Sequence, residues 1–377
     1  MRMSEKKILH LITTIELGGA EKQLLILTRH QIEQGFEVEV FYLKGKADLK
    51  EKFEKVGVKV NPILANKNFI SQVIQFRRFI RKNFAPVHAH LPQAELVAAF
   101  SCKKSRFIVS RHNFEQFWPN KPRLISTFLS RYTTLRAASG IAISEAIKMY
   151  LVLSKEISKN FSLSVIHYGF NQNDKPSVKL VNIDNKFLNS NEDFKLGTIG
   201  RLVAGKNYET MLNALANVIE VYPTVKFFIV GSGTEKNKLT KLCIDLKIQN
   251  NVIWLGKTEF VSEFLSKIDL FIFASKAEGF GLVLLEAMLA KKPILAADNS
   301  AISEVLGKSY FGLFPTNNYN LLSEKILEMI SDPSKSNSFV SNYEGQLDLF
   351  NPIEMARKVQ MAYIKSGFQY DSLKKIY

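Results

Sequence analysis

The sequence predicts an α/β protein built from two doubly wound parallel sheets. Three observations carry that prediction. The chain has 377 residues, the length of two ordinary domains. Short runs rich in Val, Ile, Leu and Phe alternate along it with stretches whose apolar residues recur at helical spacing. The short runs are apolar throughout, as in strands covered by helices on both faces.

In the first half, strands are expected at 7–12, 37–42, 87–90, 107–110, 141–143 and 164–167. Helices between them fall at 20–34, 69–83, 93–101, 122–136 and 145–153. The basic start of the chain precedes an apolar run too short for a secretory leader, so 7–12 reads as the first strand. In the second half, strands are expected at 195–199, 226–230, 252–255, 270–273, 294–296 and 311–314. Helices there fall at 208–220, 235–246, 282–290 and 321–330. The stretch 171–193 is polar, contains Pro176 and shows no sustained period, as expected of a linker. The expected domains are therefore 1–170 and 194–350. In 351–377, the amphipathic segment 352–366 is expected to form a helix that packs back on the first domain.

A hydrophobic content of 46% and a charged content of 23% are those of a soluble globular protein. No apolar run approaches the length of a spanning helix. Cys102 and Cys243 stand far apart and form no disulfide framework, so the expected location is the cytoplasm. The net charge of +16 is uneven. Residues 1–170 hold 27 Lys and Arg against 13 Asp and Glu, whereas the remaining 207 hold 24 against 22. A surplus confined to the first half points to an anionic partner, nucleic acid or an acidic membrane surface, unless it serves solubility alone. Segment 68–83 sharpens the membrane alternative. It repeats Phe69, Ile70, Val73, Ile74, Phe76, Phe79 and Ile80 beside Arg77, Arg78, Arg81 and Lys82. It is either a sheet-covering helix with a basic outer face or one that meets lipid headgroups on the cytoplasmic face of the membrane. Lys103, Lys104 and Arg106 add to that basic surface.

The most informative segment is Glu278-Gly-Phe-Gly-Leu-Val-Leu-Leu-Glu286. It follows an apolar strand and opens a helix, so its bare N–H groups favour a phosphate. Eight helical residues span roughly 12 Å. That reach sets one Glu on a sugar and the other on the ribose of one nucleotide-sugar. The plain alternative is an ordinary strand–helix turn. Three more glycine loops follow strands. Gly18 and Gly19 lie in Glu16-Leu-Gly-Gly-Ala-Glu21 and allow close backbone approach. In Gly200-Arg-Leu-Val-Ala-Gly-Lys206, Arg201 and Lys206 are expected to converge on one anion. Cations at a helix start are unfavourable unless an anion joins them. Such cations can neutralise a diphosphate leaving group in place of a metal; the plain alternative is two solvated basic residues at a helix start. Gly231 and Gly233 suit a tight turn, but Val230-Gly-Ser-Gly233 is no dinucleotide fingerprint. Around Lys257 the backbone is placed to read a base edge.

His88, His90 and His112 fall at strand ends, where open α/β sheets bind ligands, and one of them is expected to bond a substrate hydroxyl. His88 and His90 lack a supporting Cys or carboxylate cluster, and no Asp-x-Asp pair occurs, so neither metal nor cofactor is expected.

Together these segments resemble the retaining glycosyltransferases of family 4, with the GT-B architecture of two Rossmann-like domains facing a central cleft. The matching residues are Gly18-Gly19-Ala20-Glu21, Val87-His-Ala-His90, Ile143-Ser-Glu145, Val165-Ile-His-Tyr-Gly169, Gly200-Arg-Leu-Val with Lys206, Val230-Gly-Ser-Gly233, Leu255-Gly256, and Glu278 with Glu286. They occur in family order over nearly the whole chain. The resemblance implies transfer of a sugar from a nucleotide-sugar, a UDP-sugar being favoured, to a glycan or lipid-linked acceptor in cell-surface polysaccharide or glycolipid synthesis. It implies Glu278 on the donor sugar hydroxyls and backbone N–H groups of Gly279, Phe280, Gly281 and Leu282 on sugar and phosphate. Glu286 would take the ribose diol, and Arg201 with Lys206 the diphosphate. Gly18 and Gly19 would line the cleft, and His112, in Ser110-Arg-His-Asn113, would stand near the donor sugar. His167-Tyr168-Gly169-Phe170 departs from the family's commoner Pro-Asn-Gly-Val. A nucleotide-sugar epimerase of the same architecture is the main alternative. A nucleic-acid binder is motivated by charge alone and leaves Glu278 and Glu286 unexplained.

Overall fold

Seven strands make a parallel sheet in the first part of the chain: β1 (Lys7–Ile12), β2 (Glu37–Tyr42), β3 (Lys59–Asn61), β4 (Val87–His90), β5 (Phe107–Arg111), β6 (Ser139–Ala142) and β7 (Leu163–Val165). Their spatial order is β3-β2-β1-β4-β5-β6-β7. Six more make a second parallel sheet: β8 (Lys195–Ile199), β9 (Lys226–Val230), β10 (Val252–Gly256), β11 (Leu270–Phe273), β12 (Ile294–Asp298) and β13 (Leu313–Pro315). Their order is β10-β9-β8-β11-β12-β13. The computed structural model describes residues 7–83, 85–119, 121–172, 193–258 and 260–368. The expected linker, 171–193, lies almost wholly outside those residues.

The chain divides into two compact units, Met1–Asn171 with Phe350–Tyr377, and Gln172–Leu349. In the first, β1 buries both of its faces. Ile8 and Ile12 join a cluster with Leu24, Val38 and Val40, while Leu9 and Leu11 join another with Phe76, Ala89 and Val109. The second unit has one large cluster around Leu212, Leu215, Phe227, Ile272 and Phe314.

Helix starts follow local chemistry. Asn68 and Ser144 accept hydrogen bonds from Ser71 N and Ile147 N, at 2.9 and 3.1 Å. Asn351 does the same for Ile353 N at 2.9 Å, with Pro352 at the first helical position. That helix, Pro352–Lys365, belongs to the first unit and buries Met355, Ala356, Val359, Ala362 and Tyr363. A Cβ on Gly169 would stand 2.6 Å from Pro352 Cα, so only glycine admits this approach.

Strand β3 escapes sequence reading because it has three residues and only Val60 is buried. Polar contacts hold it instead: Asn61 Nδ2 donates to Glu39 Oε1 at 2.8 Å, and Lys59 pairs with Glu39 at 3.4 Å.

Candidate functional site

In the second unit the chain runs outward through β8, β9 and β10, then returns to place β11 on the other side of β8. The crevice where loops diverge from β8 and β11 is the switch point of the sheet, the usual ligand position in such folds. Lys206, in the loop after β8, forms an ion pair with Glu278, in the loop after β11. The Lys206 ammonium also lies 5.2 Å from the Phe273 ring centroid. Backbone bonds fix both loops. Lys276 N donates to Gly205 O at 2.8 Å, and Glu278 N donates to Ser300 Oγ at 2.9 Å. Asn299 supports Ser300 and donates to Ser275 O at 2.7 Å and to Thr316 Oγ1 at 2.8 Å. Asn299, Ser300 and Thr316 follow β12 and β13, and carry no motif that names them in the sequence.

The helix after Glu278 is Leu282–Leu289. Gly281 precedes it at φ +91° and supplies no side-chain cap; its carbonyl accepts from Leu284 N at 2.9 Å, which leaves the first N–H groups of the helix, at Leu282 and Val283, to face an anion. The span from Glu278 to Glu286 is therefore not eight residues of helix. Residues 278–281 form a turn, not helix, so Glu278 and Glu286 are separated by that turn and about one helical turn. Glu286 is half-buried in the helix, Phe280 is buried and Gly279 half-buried.

The remaining predicted residues of this unit fall around the same sheet edge. Arg201 and Lys257 are exposed. A Cβ on Gly231 would lie 1.8 Å from Gly200 O, and one on Gly233 2.3 Å from Leu202 O. These glycines let the loops after β8 and β9 touch, which explains both residue types by packing alone. In the first unit, Gly18 caps the helix Gly19–Glu33, and a Cβ there would strike the Glu21 carboxylate at 2.2 Å. Thr14 donates to that buried carboxyl at 2.6 Å, and burial raises its pKa.

The switch point of the first sheet lies between β1 and β4, and there the structure holds a buried chain of polar groups. His10 Nε2 lies 2.8 Å from Gln31 Oε1, and His10 Nδ1 3.0 Å from His90 Nε2. His90 Nδ1 is 3.2 Å from His112 Nε2, and His112 Nδ1 2.6 Å from the Tyr168 hydroxyl. Gln31 Nε2 donates to Tyr363 at 3.2 Å; that hydroxyl is 2.8 Å from His88 Nδ1, and His88 Nε2 is 2.7 Å from Ser110 Oγ. Burial pushes His10 down to about 4 and His112 to about 3, the latter helped by Arg111. His88 and His90 lie well below the usual range through burial and neighbouring histidines. All four rings are therefore neutral at pH 7, each with one donor and one acceptor nitrogen. Since Gln31 Oε1 only accepts, the direction of the arm through His10, His90 and His112 follows. Tyr168 donates to His112, His112 to His90, His90 to His10 and His10 to Gln31. On the other arm Gln31 donates to Tyr363, and the hydroxyls of Tyr363 and Ser110 flank His88, one bond donated by the ring and one accepted.

Among the described residues, His10, His88 and His90 bring ligand-type atoms within 4.8 Å of one another. All six ring nitrogens are already engaged with protein partners, a poor fit to a metal. His112 likewise uses both nitrogens within the protein, so a ring bond to a sugar requires one of them to change partner. Tyr168, the departure at the family's Pro-Asn-Gly-Val position, thus acquires a consequence: it holds His112. Sequence reading missed His10, Gln31, Tyr168 and Tyr363, because nothing local marks them as partners.

Comparison with known proteins gives the family and the fold. The family model described as Glycosyltransferase Family 4 matches residues 17–171, and that described as Glycosyl transferases group 1 matches residues 182–346. The chain is 27% identical over 210 residues to N-acetylgalactosamine-N,N'-diacetylbacillosaminyl-diphospho-undecaprenol 4-alpha-N-acetylgalactosaminyltransferase of Campylobacter jejuni. That match covers 54% of this chain and 55% of the relative, so it spans about half the length of that protein. It is 23% identical to the capsular polysaccharide biosynthesis glycosyltransferase CapM of Staphylococcus aureus, covering 88% of this chain and 90% of CapM. Among solved structures, Anabaena Alr3699/HepE in complex with UDP shares the fold. The TM-score is 0.76, the identity 22%, and the coverage 94% of this chain and 99% of that one.

Proposed function

We propose, from the premise that this chain belongs to the glycosyltransferases of family 4 and group 1, that it moves a sugar from a UDP-sugar to a glycan or lipid-linked acceptor hydroxyl in cell-surface polysaccharide or glycolipid synthesis. The observation that carries the reading is the Lys206–Glu278 pair at the switch point, beside an uncapped helix start. The relatives fit it: CapM's name places that protein in capsular polysaccharide synthesis, and HepE is solved with UDP.

An arriving donor divides the pair. Its diphosphate takes the Lys206 ammonium, with Arg201 joining from the start of the same loop and the amides of Leu282 and Val283 adding their dipoles. Glu278 then turns to the hydroxyls of the sugar, and Glu286 to the ribose. The bond from C1 to the β-phosphate oxygen breaks and the acceptor oxygen bonds C1 on the same face. The acceptor's proton passes to the departing phosphate, so configuration is retained without a carboxylate nucleophile. The protein supplies positioning and charge stabilisation. Lys206 and Arg201 carry the charge role that a divalent cation would otherwise fill.

The test is a transfer assay across UDP-, GDP- and ADP-sugars, with Lys206→Ala and Glu278→Ala beside the parent chain. Each substitution is expected to lower kcat/KM by about 10²–10³ with the protein still folded. Activity retained in either variant removes that residue from the site. A folded parent chain that neither transfers, hydrolyses nor binds any nucleotide overturns the proposal. Conversion of donor alone to its epimer replaces it with the epimerase.

A further inference from the structure

Three of the nine non-glycine residues at positive φ among the described residues are tied to the Lys206–Glu278 pair. Asn207 follows Lys206 at φ +55°, Ser300 follows β12 at φ +42°, and Asn317 follows β13 at φ +67°. Glycine adopts such backbone without strain. A larger residue there costs stability unless its side chain makes a bond that glycine cannot. Each of these three makes one.

The bonds close a ring. Glu278 N donates to Ser300 Oγ at 2.9 Å, and Ser300 Oγ donates to Asn299 Oδ1 at 2.8 Å. Asn299 Nδ2 donates to Thr316 Oγ1 at 2.8 Å. The next residue, Asn317, accepts through Oδ1 from Asn207 Nδ2 at 3.0 Å. Asn207 follows Lys206, whose ammonium pairs with Glu278. The ring thus joins the loops after β8, β11, β12 and β13. Asn207 is buried, and Asn299, Ser300 and Thr316 are half-buried, so water competes only partly for these bonds.

A donor that takes Lys206 and frees Glu278 opens one link of the ring, the ion pair. The other links hold the loops, not the reacting groups, and can stay shut. Ser300 fixes the amide of Glu278, and so the point from which the carboxylate reaches for hydroxyls. Asn317 fixes Asn207, and so the point from which Lys206 reaches for phosphate. A carboxylate tells one sugar epimer from another only if its backbone is held to a fraction of an ångström. A misplacement of about 1 Å costs about 10²-fold in rate.

On the nucleotide-sugar reading of the Lys206–Glu278 pair, on which this rests, we propose that the ring sets the site's choice of donor sugar, with Ser300 as the positioning residue of Glu278 and the Asn207–Asn317 bond as the support of Lys206. The two sides of the ring therefore answer to different parts of the donor. Ser300 governs selectivity among sugars, and Asn317 governs affinity for the nucleotide diphosphate.

The test uses the full chain, with UDP as the binding probe. Turnover, read as transfer or donor hydrolysis, is compared for UDP-glucose against UDP-galactose and for UDP-N-acetylglucosamine against UDP-N-acetylgalactosamine. The parent chain is expected to prefer one member of a pair. Ser300→Gly eases the backbone at φ +42°, so its thermal midpoint is expected to hold or rise. It is expected to bind UDP within about twofold of the parent yet lose about tenfold of the preference in kcat/KM. Ser300→Thr keeps the hydroxyl and is expected to keep the preference, with a lower midpoint because a β-branched residue resists positive φ. Asn317→Gly is expected to weaken UDP binding about fivefold and to spare the preference. A parent chain that turns over none of these donors overturns the UDP-sugar reading and this inference with it. With an active parent, four results overturn this inference alone: a parent indifferent to both pairs, a Ser300→Gly variant as selective as the parent, a loss of selectivity matched by equal losses of midpoint and UDP affinity, or an Asn317→Gly variant that loses selectivity and keeps UDP.

Discussion

At the scale of single residues, the buried chain from Tyr168 to Ser110 makes the most exact claim. One acceptor-only atom, Gln31 Oε1, fixes the proton position on three rings. His10, His90 and His112 are therefore expected as Nε2–H tautomers, with Nδ1 accepting. Nitrogen-15 chemical shifts of the rings read this directly, and any Nδ1–H ring in the series breaks the chain as drawn. The same burial sets a pH dependence. His10 has a folded pKa of about 4 against an ordinary 6.5, so between those values the unfolded chain binds more protons. The stability from keeping this ring neutral is complete above pH 6.5 and is lost as pH falls toward 4, by about 3 kcal/mol for His10 alone. Urea midpoints at pH 7 and 5 measure it; equal midpoints would show that the ring titrates normally. The histidines were legible in the sequence as chemistry-bearing residues at strand ends. Their partners were not: His88 and Tyr363 are 275 positions apart, and no local pattern announces a bond over that distance.

At the scale of elements, strand β9 and its loop show what glycine does here. Gly231 sits at φ +148° and its missing Cβ leaves room for Gly200 O. Gly231→Ala must move one loop off the other and strain the backbone, at a cost of about 3 kcal/mol. The unfolding midpoint of the second unit reports the loss, and an unchanged midpoint would mean the loops are not held together there. Gly281→Ala meets a positive φ with less crowding and is expected to cost about 1 kcal/mol while displacing the open helix start. Its sharper effect is expected on the KM for the donor. Strands were legible because parallel sheets bury both faces and leave continuous apolar runs. Helix positions were legible as well, but not their outward faces. Periodicity places apolar residues on one side of Arg123–Arg136 without saying which side the protein covers. Only the buried Ser130, Thr133 and Arg111 reveal that the apolar side is outermost. The Glu278–Glu286 spacing failed for a related reason: Gly281 delays the helix, so eight residues of sequence are not eight of helix.

At the scale of the whole molecule, the first unit is assembled from two stretches of chain separated by the entire second unit. The amphipathic pattern of 352–366 was readable, and so was its expected partner, because an apolar helix face must be buried somewhere. The pattern could not show how deeply the first unit depends on it. Met355, Val359 and Tyr363 enter the cluster that contains Ile8, Ile12 and Ile166. Burying each stabilises by about 2 kcal/mol. Removing three such groups takes away a large share of the roughly 5–15 kcal/mol that holds a domain. Tyr363 also bonds His88 and Gln31, so its loss leaves buried polar groups without partners. A chain ending at Leu349 is therefore expected to lose hydrogen-exchange protection across 7–12 and 87–90 while 195–199 and 226–230 keep theirs. Tyr363→Phe, which spares the packing and removes the hydroxyl, is expected to cost about 1–2 kcal/mol and to change the ring shifts of His88 before the others. Uniform loss of protection in both units on truncation would show instead that the two fold as one cooperative body, and unchanged protection in 7–12 would show that the first unit stands without its last helix.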